Sequence, residues 1–148
     1  MKYLSDLSEL QWRILAELEE AGIDRVPGLA TTVTDVDGVP VDWQSMRTAL
    51  TGLINFDLVR VSLDTSHANR IRTLKSGVQL AEIAKRGARP WPMSKEDSLA
   101  LIAEVDAAIA ADTEYETSWI EIVTTDAGNE TSERILERRG YQWWKRRR

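Results

Sequence analysis

Residues 46–61 read MRTALTGLINFDLVRV, and this stretch decides the fold. Its first part predicts an amphipathic helix over residues 43–55, with Asp42 as the N-cap. From Val59 onward, apolar and polar residues alternate, which predicts a strand. A helix followed at once by a strand indicates an α+β fold. The apolar residues expected on the buried face of the helix are Met46, Leu50, Leu53 and Ile54.

The opposite face of this helix carries side chains that can hydrogen-bond outward. A helix with such a face can enter the major groove of DNA and present short polar and Arg side chains to base edges. The alternative is an ordinary solvated helix face. The candidate base-contacting residues are Gln44, Ser45, Arg47, Thr48 and Thr51.

A basic hairpin over residues 58–74 is predicted to follow the helix. Its first strand alternates apolar residues with Arg60 and Ser62, so one of its faces is expected to be solvent-exposed. A polar tip over 64–69 leads into a second strand over 70–74. Cationic side chains on such a ribbon would lie beside DNA phosphates, and the candidates are Arg70, Arg72 and Lys75.

Upstream, the sequence predicts a helix over residues 9–20. Ser8 and Gln11 form a capping-box pattern, and Leu7 and Trp12 flank it at the hydrophobic staple positions. The segment that follows, residues 23–41, is ambiguous. Residues 30–33 fit either a short helix or a strand, and a turn signal and a proline follow them.

The order of these elements resembles the winged helix-turn-helix superfamily. Residues 46–61 are similar to the recognition helix and first wing strand of bacterial regulators, which often read A-L-x-x-L-x-x-x-G-L-V. Residues 74–77 are similar to the closing L-T-x-x-G, one residue short, and Asp57 stands where the family prefers glycine. The resemblance covers about residues 8–88. It implies a winged-helix domain that binds double-stranded DNA in transcriptional control.

The segment Pro90-Trp91-Pro92 predicts a boundary. The expected organisation is a winged helix-turn-helix domain over 1–90 and a small α/β extension over 91–148. The extension reads helix–strand–helix–strand, as a helix over 94–112 capped by Ser94, a strand over 119–123, a helix over 130–139 capped by Asn129, and a strand over 141–144. The helix over 94–112 is a candidate homodimer surface; the alternative is that it covers the winged helix within one chain.

The net charge of −5 is unevenly distributed along the chain. Residues 1–41 carry 3 basic and 8 acidic side chains (−5), residues 42–90 carry 8 and 4 (+4), and residues 91–148 carry 8 and 12 (−4). The basic middle segment favours a polyanion. The acidic ends favour a second hypothesis, a winged-helix protein-interaction module that acts as an adaptor or inhibitor of a larger complex without binding DNA.

The composition also excludes several chemistries. The chain has no Cys and a single His, which excludes thiol catalysis, Cys-ligated zinc, iron–sulfur clusters and multi-His metal sites. No phosphate-binding glycine loop occurs. We therefore expect no enzyme activity, no cofactor and no metal. No run of 18 apolar residues exists, so no membrane span and a cytoplasmic location are expected.

Overall fold

The fold combines helices with an antiparallel sheet, which confirms the α+β class. The computed structural model describes residues 3–21, 23–25, 33, 41–63, 92–110 and 120–140. A single 3-10 turn, Leu4–Asp6, precedes the first helix. The elements that follow are α1 (Glu9–Ala21), β1 (Ile23–Arg25), α2 (Trp43–Asn55), β2 (Val59–Leu63), α3 (Lys95–Ala110), β3 (Ile120–Thr124) and α4 (Asp126–Arg139).

Local capping signals set the first residues of α1 and α2, as the sequence predicts. At α1 the capping box is complete: the Gln11 amide N–H donates to Ser8 Oγ at 3.2 Å, and the Ser8 N–H donates to Gln11 Oε1 at 2.9 Å. At α2 the Ser45 N–H donates to Asp42 Oδ1 at 2.8 Å. Both predicted helix starts are confirmed.

The sheet has the strand order β1-β3-β2, with every pair antiparallel. Ile23 of β1 is opposite Val123 of β3, and Val61 of β2 is opposite Ile122. The central strand therefore comes from the part of the sequence predicted to be a separate extension.

The partner of β2 differs from the predicted hairpin. Its antiparallel neighbour is β3, whereas the return strand predicted over 70–74 lies outside the described residues. On the side of β2 away from β3, the Met93 N–H donates to the Val61 carbonyl at 2.8 Å, and the Val61 N–H donates to Ser98 Oγ at 3.0 Å. The hydrogen bonds that a hairpin partner would need at Val61 are thus made by the segment after Pro92.

The predicted solvent-exposed face of β2 is also corrected. Ser62 is fully buried and Arg60 is half-buried. The residue opposite Ser62 in β3 is Glu121, which is fully buried as well. β2 is therefore a terminal strand of the described sheet whose outer edge is partly covered, since Pro92 forms an isolated bridge to Ser62 there.

Helix α1 is the element around which the core is built. It packs against α2, α4 and β3. The predicted apolar face of α2 is buried, together with three residues of α1, and these core residues are Ile14, Leu15, Leu18, Met46, Leu50, Leu53 and Ile54. Since β3 and α4 pack on elements from the first half of the chain, the predicted division at residue 90 does not separate two cores.

None of the helices in the described ranges is long and apolar enough to cross a membrane.

The two helices after residue 90 differ in how well the sequence predicts them. Ser94 caps α3 as expected, since the Asp97 N–H donates to Ser94 Oγ at 3.2 Å. Helix α4 begins at Asp126, four residues before the predicted start, because its N-cap is Thr125 and not Asn129. The Thr125 oxygen accepts from the Gly128 N–H at 3.0 Å. The strand predicted over 141–144 lies outside the described residues.

The first turn of α4 approaches the start of β2 very closely. The Thr125 N–H donates to the Leu58 carbonyl at 3.0 Å, and Thr125 Oγ1 donates to the Asp57 carbonyl at 2.6 Å. A Cβ atom at Gly128 would lie 1.9 Å from the Leu58 carbonyl oxygen. Only a glycine allows this contact.

We predict that Gly128→Ala destabilises the protein by roughly 3 kcal/mol or more, because the added methyl group meets backbone that cannot move aside. The matched control is Gly52→Ala, where the nearest atom is the end of the Gln11 side chain, 2.4 Å from the added Cβ. Its cost should stay within about 1 kcal/mol, since losing one hydrogen bond is offset by the helix propensity of alanine. Urea denaturation measures both, and equal losses would contradict the close packing at Gly128.

Candidate nucleic-acid interface

The outward face of α2 carries the predicted base-contacting residues. Gln44, Ser45 and Thr48, in the first two turns, are exposed. Arg47 and Thr51 lie on the flank of this face and are half-buried. The predicted phosphate-contacting residues Arg70, Arg72 and Lys75 lie outside the described residues.

Hydrogen bonds within α2 decide what its exposed side chains can offer a partner. Thr48 Oγ1 donates to the Gln44 carbonyl at 2.9 Å, and Ser45 Oγ donates to Asp42 Oδ2 at 3.3 Å. Both hydroxyl protons are therefore used inside the helix. The side-chain amide of Gln44 has no partner among the described residues and can both donate and accept.

A shallow groove of about 380 Å³ lies between the N-terminal ends of α1 and α2. No residue that lines it carries a charge. The lining residues are Ser8, Leu10, Gln11, Gln44, Ser45, Thr48 and Ala49. The exposed polar face of α2 is thus continuous with an uncharged groove that both polar and apolar side chains line.

Gln11 fixes the spacing of the two helices at this groove. Besides closing the capping box, its Nε2 donates to the Ala49 carbonyl at 3.2 Å. The side chain is buried and passes over Gly52, which leaves room for it. The sequence predicts only the capping role of Gln11, because a contact with a residue so far along the chain has no local signal.

The C-terminal end of α2 is held by a charged cluster around Asp57. Asp57 has a φ of 62°, the left-handed conformation that the glycine of the family pattern would favour. Its Oδ1 lies 2.7 Å from Arg60 Nη2 and 3.2 Å from Lys95 Nζ, and Lys95 Nζ also donates to the Asn55 carbonyl at 3.2 Å. The hydrogen bond from Arg60, followed by that from Lys95, lowers the pKa of Asp57.

This cluster changes the electrostatics expected for the interface. Arg60, a cation of the predicted wing, points to Asp57 and to backbone carbonyls of α2 and β2. Lys95 is paired with the same carboxylate.

The described residues also contain no group of three or more His, Asp or Glu side chains placed to hold a metal ion.

Comparison with known proteins adds no assignment for this site. No family model matches the chain, and neither a curated protein nor a solved structure matches it. The geometry of α2 and of the groove beside it therefore carries the functional argument.

We predict that Asp57→Asn lowers stability at neutral pH, because Asn keeps the left-handed backbone accessible but loses the two ion pairs. The folded pKa of Asp57 lies below its ordinary value of 3.8. Its contribution is therefore fully present above that value and is lost as the pH falls through the lowered folded pKa.

Urea midpoints of the native protein and of Asp57→Asn, measured from pH 7 to pH 2, should differ at neutral pH and converge in acid. Asp126→Asn is the control, since Asp126 is exposed and makes no ion pair with the described residues. A gap that stays constant down to pH 2 would show that the ion pairs of Asp57 contribute nothing.

Proposed function

We propose that this chain is a winged-helix protein that binds double-stranded DNA with the outward face of α2 in the major groove. One observation carries the proposal: Gln44, Ser45 and Thr48 are exposed on the first two turns of a helix whose other face is fully buried. Recognition helices contact base edges with their N-terminal residues. This end of α2 is therefore the one expected to meet the bases.

The surroundings of α2 support this orientation. An α-helix with its side chains is about 10–12 Å wide and the major groove is about 12 Å wide, so α2 can enter only with a part of its surface that is exposed. Its first turns border the open groove next to α1, whereas its last turn is tied to α3 through Lys95. Strand β2 follows α2, in the order that the resemblance implies.

Affinity in this proposal comes from basic residues outside α2. Phosphate contacts supply most of the binding energy and carry no sequence information. Six of the eight basic residues of segment 42–90 lie between positions 70 and 89, including the proposed phosphate contacts Arg70, Arg72 and Lys75. A homodimer would double these contacts and place two half-sites about 34 Å apart.

The second candidate function is a protein-interaction module without DNA binding. The paired charges favour it: Arg60 and Lys95 share the single carboxylate of Asp57, which offsets part of their charge, and the carboxylate of Asp42 lies at the edge of the exposed face of α2. A face of this kind does not repel proteins and attracts a phosphate backbone only weakly.

We predict that the protein binds a labelled random-sequence duplex with micromolar affinity at 50 mM salt and much more weakly at 200 mM. Thr48→Glu places a negative charge on the exposed face of α2 and should weaken binding roughly tenfold or more by repelling phosphates. The control is Ala127→Glu, which adds the same charge at an exposed position of α4. Fluorescence anisotropy measures all three proteins.

The outcomes separate the candidates. Salt-sensitive binding that Thr48→Glu weakens and Ala127→Glu leaves unchanged supports DNA binding by α2. Equal effects of the two variants would remove α2 from the interface. No binding at 50 mM salt would reject the DNA-binding function and favour the protein-interaction module.

A further inference from the structure

We propose that Gln44 recognises adenine, so that the preferred DNA has an A·T base pair where the first turn of α2 meets the major groove. This inference rests on the proposed function, since it concerns which base pair the same helix face selects. What carries it is the distribution of hydrogen-bonding protons on that face.

Few groups on the exposed face of α2 are able to donate a proton to a base. The hydroxyl protons of Ser45 and Thr48 are bonded to Asp42 and to the Gln44 carbonyl. The Gln44 amide retains two N–H donors and a carbonyl acceptor with no partner among the described residues. A side chain that donates and accepts side by side matches the N7 acceptor and N6 amino donor of adenine.

Guanine presents two acceptors in the major groove and is usually contacted by Arg or Lys. Arg47 is the cation of α2, but it is half-buried on the flank of the face and already interacts within the chain. Asp42, bonded to Ser45, can only accept. On guanine only the N–H groups of Gln44 could bond, and its carbonyl oxygen would find no donor, so adenine is the better match for this face.

Thr48 adds a second preference, which also favours an A·T base pair. It lies one turn after Gln44, and residues four apart on a helix are neighbours on its surface. With its hydroxyl proton bonded to the backbone, Thr48 offers its methyl group and the lone pairs of its oxygen. A threonine methyl group packs on the C5 methyl of thymine. Both side chains thus favour a short A·T-rich site.

The test begins by selecting bound sequences from a pool of random duplexes with the native protein, with Gln44→Ala and with Asn55→Ala. Asn55 is the control because it is an exposed amide of the same helix, roughly 16 Å further along its axis. We expect an adenine preference at one position for the native protein and for Asn55→Ala, and its loss for Gln44→Ala. Thermal melts establish that all three proteins are folded.

The second step tests the contact itself on the selected duplex. Replacing the A·T pair by G·C should weaken binding of the native protein roughly five- to 150-fold, and replacing adenine by 7-deazaadenine, which lacks the N7 acceptor, should also weaken it. Neither replacement should affect Gln44→Ala.

Each outcome is informative about one of the two proposals. Equal losses for the native protein and Gln44→Ala, or a selected preference for guanine at that position, would overturn the role of Gln44 while leaving DNA binding intact. Binding of the pool without any sequence preference would do the same. No binding of any duplex at low salt would reject the proposed function itself.

Discussion

The pairing of β3 with both β1 and β2 is the interaction on which the rest of the structure depends. Because β3 is the central strand, its backbone joins residues 23–25 and 59–63, which are otherwise far apart in the sequence. The cost in chain entropy of closing the long connection over 64–119 grows only slowly with its length. Burial of Val61 and Ile122, opposite each other in the sheet, offsets that cost.

The same pairing determines which part of α2 is left for a partner. It brings the first turn of α4 against the α2–β2 turn, where Thr125 bonds to the carbonyls of Asp57 and Leu58. Lys95 adds a contact at that end of α2. On its inner side α2 is held by Gln11. These contacts lie on the buried face or at the C-terminal end, so among the described residues the helix is fixed in position while Gln44, Ser45 and Thr48 on its first two turns stay exposed.

Sequence reasoning predicts the elements whose signals are local and fails where the partner is distant. The caps at Ser8 and Asp42 involve residues three positions apart, and the exposure of the α2 face follows from helical periodicity. The strand at 120–124 is predicted within one residue, but its pairing with β2 is not, because residues 70–74 show the same alternation and lie closer in sequence. Strand β1 is missed, since three residues are too few to show a period.

The exposed side chains of Gln44, Ser45 and Thr48 carry no charge. In the proposed complex they would supply specificity, and residues elsewhere would supply most of the affinity. Phosphates are attracted by charge at any sequence, whereas bases are distinguished by the pattern of donors and acceptors at short range. At the C-terminal end of α2, Arg60 and Lys95 are paired with Asp57, and the hydroxyl proton of Thr48 is bonded inside the helix. This face would therefore contribute little non-specific attraction for phosphates. In the proposed complex the Gln44 amide, which has no partner among the described residues, would then have a larger share in selecting the sequence, and the basic residues between positions 70 and 89 would set the affinity.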